Sequence, residues 1–197
     1  LDAGGYEDGH PGLMKDSAAI VRAQLSIRPP IIAAVNGDAI GLGATMALFC
    51  DLMLVADHAR IGDPHVKAGI VAGDGGAILW PLLLGPHRGK EVLMFGDLMT
   101  AEEANGMGLV NRVVPGDSLA AEAEKWALRL ATGPRVAIEF NKRLANADIL
   151  DRVNRLLDSS LAMEALTFET SDHQEAVRAF IEKREPVFGG VGGGADA

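Results

Sequence analysis

Cys50 is the only cysteine among 197 residues. No intrachain disulfide can form, and a lone thiol in an apolar run suits a reducing, cytoplasmic compartment. Lys and Arg number 18 against 27 Asp and Glu, a net charge of -9, and no Lys/Arg-rich run occurs. Phosphate binding needs a basic footprint, so nucleic acid is not expected as a partner, and an anionic membrane surface would repel the chain. The longest apolar runs fall short of the roughly 20 residues that a membrane span requires. His10, His58, His65, His87 and His173 are scattered without metal-ligand spacing, so no metal or other resident cofactor is expected. No secretory pattern occupies the first residues.

The apolar content is ample. Hydrophobic residues make up 48% of the chain, enough for one globular domain with a real core. The sequence begins at Leu1, and LDAGGYEDGHPG reads as a loop, which leads us to expect a segment upstream. Apolar spacing predicts a helix from Leu13 to about Ile27, stopped by Pro29 and Pro30. IIAAV (31–35) and LMLVA (52–56) are short continuous apolar runs, as in parallel strands covered on both faces. Between them the Asn36-Gly37 turn leads to ATMALFC, which fits a buried helix. AILWPLLLG, 90–95 and 101–107 read as further helix, and LVNRVV (109–114) as another strand. From Asp117 the pattern is almost wholly helical: 119–131, 134–147, 149–168 and 173–184. The division expected is an α/β core over 1–116, a helical region over 117–188, and a disordered tail over 189–197.

Two familiar glycine motifs are absent. GDAIGLGATM places Met46 where a dinucleotide fingerprint needs its third glycine, and GPHRGKE is one residue short of a phosphate loop,. The glycine loops at 41–43 and 73–76 remain open to two readings. Their N–H groups can stabilise an anion such as an enolate oxygen, or the glycines simply permit tight turns and close packing.

The run from Asn36 to Gly76, NGDAIGLGATMALFCDLMLVADHARIGDPHVKAGIVAGDGG, resembles the crotonase superfamily, the enoyl-CoA hydratases and isomerases. LMTAEEANGMGLVNRVV and the terminal AFIEKREPVF extend the resemblance over essentially the whole chain. It implies an α/β spiral of ββα units lacking its first strands, with C-terminal helices that build homotrimers or homohexamers. It also implies an acyl-CoA substrate, with coenzyme A entering only as part of that substrate. Two backbone N–H groups would form an oxyanion hole, one at Ala3 in the AGG of Ala3 to Gly5, the other at Leu42. Gly4, Gly41 and Gly43 would line the substrate, and Phe180 and Lys183 would reach adenine and a phosphate of a neighbouring subunit's coenzyme A. The alternative for Phe180 and Lys183 is a helix with the ring in the core and the ammonium solvated.

The departures from the family pattern bear on mechanism. Thr45 and His65 stand where hydratases carry their two catalytic glutamates, and a threonine hydroxyl is no general base near neutral pH, whereas histidine is. PHVKAGIVAGDGG (64–76) resembles the β-diketone hydrolase branch, in which a His and an Asp at this spacing act together. His65 and Asp74 are therefore the expected catalytic pair, His65 activating water or being oriented by Asp74. The bland readings are a hydrogen-bonded loop histidine and an aspartate capping the helix that starts near Gly75. Asp63 and Asp38 rank behind this pair, and Trp80 and Trp126 are read as core. Three functions follow: water addition to an enoyl-CoA thioester, C–C hydrolysis of a cyclic β-diketone thioester, or non-catalytic acyl-CoA binding by a chain that has lost the usual acids.

Overall fold

A computed structural model describes residues 10–189. Ala3, Gly4 and nearly all of the tail expected to be disordered lie outside the described residues. The elements in chain order are α1 (His10–Ser26), β1 (Ile32–Val35), β2 (Ala39–Ile40), α2 (Leu42–Leu48), β3 (Leu52–Ala56) and β4 (Arg60–Gly62). After a 3-10 turn at Pro64–Ala68 come α3 (Gly76–Phe95), β5 (Leu98–Thr100), α4 (Ala101–Gly106) and β6 (Arg112–Val114). The helices α5 (Leu119–Ala131), α6 (Arg135–Ala145), α7 (Ala147–Phe168) and α8 (Ser171–Glu182) follow within the described residues.

Two three-stranded sheets carry the core. β1, β3 and β6 form one in that order, all parallel, with Ala34 opposite Leu54 and Leu54 opposite Arg112. β2, β4 and β5 form the other, β2 parallel and β5 antiparallel to β4. β1-β2-α2 and β3-β4-α3 are thus successive ββα repeats, each placing one strand in each sheet. β3 is the innermost strand, with Met53 to Ala56 buried on both faces, which accounts for its unbroken apolar run,.

β1, β3, β6 and all eight helices fall in the segments expected from periodicity. β2, β4 and β5 do not, because two or three residues are too few to show an alternation. α1 begins at His10, three residues before the expected start, with Pro11 in the first turn, where its missing N–H costs nothing,. α8 begins at Ser171 because Thr170 caps it, its hydroxyl oxygen accepting from the His173 N–H at 3.2 Å,. α3 is broken at Gly85, whose φ of 79° lies outside the helical region, so the two halves expected on either side of GPHRG form one bent element.

α7 crosses behind the α/β layers. Val153, Leu157 and Leu161 are all buried and recur every fourth residue on its inner face,. That stripe, prolonged by one turn, points Glu164 inward as well. No helix among the described residues is long and apolar enough to cross a membrane.

Candidate active site

β4 ends at Gly62, and the next three residues deliver Asp63, Pro64 and His65 into the first turn of a 3-10 helix. Pro64 suits that position because its φ is preset and it needs no N–H acceptor. The side chain of Asp63 is wholly buried and that of His65 is 13% exposed. The His65 Nδ1 hydrogen-bonds the Asp63 Oδ1, and Trp80 Nε1 donates to the other oxygen, Oδ2, at 2.8 Å. Both oxygens of a buried carboxylate are thereby satisfied.

On the opposite side of the ring, His65 Nε2 faces Asp74 Oδ2 at 3.8 Å. This is too long for a direct hydrogen bond and is a separation of the kind that one intervening oxygen bridges. Asp74 Oδ1 is held firmly, accepting from the Thr45 hydroxyl at 3.1 Å and the Gly76 N–H at 3.2 Å. Its Oδ2 is buried and has no hydrogen-bond partner among the described residues. Asp74 therefore does two things: with one oxygen it accepts from the first N–H of α3, and the other it presents bare to the imidazole.

Two glycines make this arrangement sterically possible. A Cβ on Gly76 would stand 2.2 Å from Asp63 Oδ2, so only glycine lets that carboxylate approach the start of α3. The positive end of the α3 dipole then faces both carboxylates. A Cβ on Gly73 would meet Ser160 O at 2.5 Å and Glu164 Oε2 at 2.6 Å, so the loop presses directly on α7. The Ser160 hydroxyl donates to the Gly73 carbonyl and pins this contact.

The electrostatics follow from crowding four ionisable groups with little water. Burial raises the pKa of Asp74 above the usual carboxylate range, although His65 and the two donors oppose it,. Burial, reinforced by the charges of Asp74 and Asp63, pushes Glu164 up to about 7. For His65 burial acts to lower the pKa, but the hydrogen bond with Asp63 and the charges of Asp63, Asp74 and Glu164 outweigh it, and the net direction is upward. The cluster thus sets an imidazole among carboxyl groups, two of which burial inclines toward their protonated forms,.

The structure brings His65, Asp74, Thr45 and the Leu42 loop together. Leu42 opens α2 at a position whose N–H has no acceptor within the helix, and a Cβ on the adjoining Gly41 would meet His65 Cε1 at 3.1 Å,. Gly43 has open space where a Cβ would stand. Phe180 is 85% exposed, so of the two readings of that helix the core one fails; α8 turns Ala176 and Ala179 inward instead. Lys183 caps α8 in the left-handed conformation, φ 55°. Neither residue meets the site within this chain. Asp38 pairs with Arg60 at 2.5 Å and is a structural turn residue.

Three features were missed from sequence. Asp63, not Asp74, is the hydrogen-bond partner that orients His65. Trp80 is core, fully buried, yet its N–H reaches the site. Glu164 lies 90 positions beyond Asp74, and the signal that could have found it is the inner stripe of α7, where it takes the next inward place after Leu161.

The ββα layers, with an imidazole wedged between buried carboxylates beside a glycine turn, place a cluster of ionisable side chains on an α/β spiral. Residues 12–191 match the family described as enoyl-CoA hydratase/isomerase, and the chain belongs to that family. It is 37% identical over 163 residues to the crotonyl-CoA hydratase of Syntrophomonas wolfei subsp. wolfei, a match covering 83% of this chain and 63% of that one. It is 35% identical over 150 residues to a short-chain-enoyl-CoA hydratase of Clostridioides difficile, covering 76% of this chain and 96% of the relative. Among solved structures, an enoyl-CoA hydratase/isomerase from Mycobacterium paratuberculosis superposes with a TM-score of 0.83 at 35% identity, covering 88% of this chain and 69% of that one. A β-diketone hydrolase from the cyanobacterium Anabaena superposes with a TM-score of 0.76 at 32% identity, covering 80% and 63%. The fold is therefore the crotonase fold, and the chain spans just under two thirds of the length of the Syntrophomonas and Anabaena relatives.

Proposed function

We propose that the protein adds water to an enoyl-CoA thioester, using His65 as the base and the Asp74 and Glu164 carboxyl groups as the proton source. One observation carries this: the bare, buried Asp74 Oδ2 facing His65 Nε2 across a gap that one oxygen can bridge. His65 Nε2 removes a proton from water as the water oxygen attacks the β-carbon. The electron pair moves onto the thioester oxygen, and the enolate is held by the Leu42 N–H and, on the family pattern, by that of Ala3. A protonated carboxyl then delivers its proton to the α-carbon, the hydroxyacyl thioester leaves, and the proton that His65 took from water passes to the carboxylate and restores both groups. Thr45, in the place of a hydratase glutamate, fixes Asp74 instead of transferring protons itself. The hydratase names of the relatives support this reading.

A second reading is C–C hydrolysis of a β-diketone, favoured by the likeness to the Anabaena hydrolase and by the absence of the glutamate pair. Water would add to a ring carbonyl, the C–C bond would break, and the resulting enolate would take the same proton. Assembly is proposed as a homotrimer or homohexamer in the cytoplasm. Exposed apolar residues on the C-terminal helices support it, Phe140 on α6 at 57% and Leu166 on α7 at 71% among them, as does Phe180 standing free to meet a neighbour's ligand,.

The test is turnover of crotonyl-CoA, followed by loss of the conjugated enone absorbance, with His65→Ala alongside. Hydration by the wild type and a drop of roughly 10²- to 10⁴-fold in the variant, with affinity nearly intact, is the expected result. Turnover confined to cyclic β-diketones would select the second reading. Thioester binding without turnover of either class would leave only a non-catalytic binding protein.

A further inference from the structure

His65 meets two carboxylates, Asp74 facing Nε2 and Asp63 bonded to Nδ1, and the second is the more firmly held. Asp63 is sealed off: none of its side chain is exposed, Oδ1 is taken by His65 Nδ1, and Oδ2 accepts from Trp80 Nε1 at 2.8 Å. An indole N–H can only donate. Trp80 is itself fully buried, and the backbone at Gly76 crowds the same Oδ2 closely enough to exclude a Cβ. Oδ2 therefore has one fixed partner that cannot exchange roles, and Oδ1 is left to meet the imidazole as an acceptor.

Resting on the acid–base role assigned to His65 above, we propose that Asp63 and Trp80 form a positioning pair that locks His65 in its Nδ1–H tautomer and so keeps Nε2 free as the base. An Nε2–H tautomer would set the Nδ1 lone pair against a carboxylate oxygen, which is repulsive, and would put a hydrogen on the nitrogen that must accept one. Asp63 thus acts through His65 and touches no reacting atom. Trp80 acts one step further back, by deciding which atom of residue 63 faces the ring.

That chain of command makes an unusual prediction for Asp63→Asn. The amide has one acceptor and one donor end, and the Trp80 N–H will claim the acceptor. The NH₂ is then turned toward His65 Nδ1 and forces the Nε2–H tautomer, removing the base without removing its bulk. Turnover should fall by roughly 10²- to 10⁴-fold, the range that a positioned base supplies, with KM little changed. Adding Trp80→Phe to Asp63→Asn releases the amide from the indole, lets it rotate, and should recover part of the lost rate. A purely structural role predicts the reverse, since a second lesion in the same buried pair should lower activity further.

The experiment combines kcat and KM for wild type, Asp63→Asn, Trp80→Phe and the double variant with ¹⁵N spectra of the His65 ring, recorded at a pH above its titration. Nδ1–H in the wild type, Nε2–H in Asp63→Asn and a return toward Nδ1–H in the double variant are expected. An unchanged tautomer in Asp63→Asn, or a double variant slower than Asp63→Asn, would overturn the proposal. The spectra need no substrate. A tautomer shift in a protein that turns over none of the substrates above would uphold the lock and reject the hydratase reading. A tautomer shift that leaves a measurable turnover unaltered would reject the lock's catalytic meaning. Should Asp63→Asn fail to fold, the wild-type ¹⁵N spectrum still reports, because a neutral His65 ring with its hydrogen on Nε2 overturns the lock; Trp80→Phe alone should keep Nδ1–H, since both oxygens of the Asp63 carboxylate are acceptors.

Discussion

Two aspartates, the partly buried Asp51 and the buried Asp74, stand in contrast. Asp51 Oδ2 accepts from the Ile31 N–H and the Lys142 ammonium, both at 2.7 Å, and Oδ1 accepts from Asn146 at 3.3 Å. Lys142 in turn donates to the Pro29 carbonyl at 3.0 Å. Every group is used, and the network ties α6 and the turn into α7 to the start of β1. Asp74 has the same chemical group, more deeply buried, but one oxygen has no partner among the described residues and its countercharge stands off at 3.8 Å. A saturated network is a structural tie. An unsaturated one is costly to fold and persists where a ligand or reacting atom completes it.

Replacing one partner in each cluster should therefore have opposite consequences. Asp74→Asn keeps the two donors to Oδ1 but removes the proton that Oδ2 would carry. We expect kcat to fall by roughly 10²- to 10⁴-fold while the urea midpoint is no lower than in the wild type. A midpoint well below the wild type's would show that Asp74 is a structural tie like Asp51, and the contrast would be lost. Lys142→Met should do the reverse, leaving Asp51 buried without its cation and costing about 3–5 kcal/mol in urea unfolding, with kcat of the folded protein unchanged.

The smallest expected effect lies at Glu164 and sharpens the same point through pH. Its pKa is raised from 4.5 to about 7 in the folded chain, so the folded state keeps a proton that the unfolded state has released. Its contribution therefore weakens stability as pH rises from 4.5 through 7. Glu164→Gln removes that decline and should leave the protein more stable than wild type at pH 8, by on the order of 1 kcal/mol once partial solvent access is allowed for. Urea titrations of both proteins at pH 5 and pH 8 would measure it; parallel pH dependences would place Glu164 outside the strained cluster.

Much of the fold was legible because its signals are local. The apolar runs of β1 and β3, the proline stop after α1 and the 3.6-residue periodicity of α5 to α8 each sit within a dozen residues. The three strands of the second sheet were not legible, since β2, β4 and β5 are held by pairing with one another and not by their own patterns. At the site, His65 and Asp74 could be singled out because they share one short stretch with the glycines. Asp63, one residue before that stretch, ranked behind the pair, because nothing in DPH tells that its carboxylate turns back under the ring.

The sequence by itself determined the composition of the site loop, the order of strands and helices, and the membership of the chain in its family, since these depend on neighbours along the backbone. Only the tertiary structure decided which carboxylate serves which nitrogen. The Trp80 indole comes from the first turns of α3 and Glu164 from α7, and the partners of Asp63 and Asp74 are chosen by how those helices dock. Hydrogen bonds have lengths and directions, and no spacing along the chain specifies them until α3 and α7 are packed against β4.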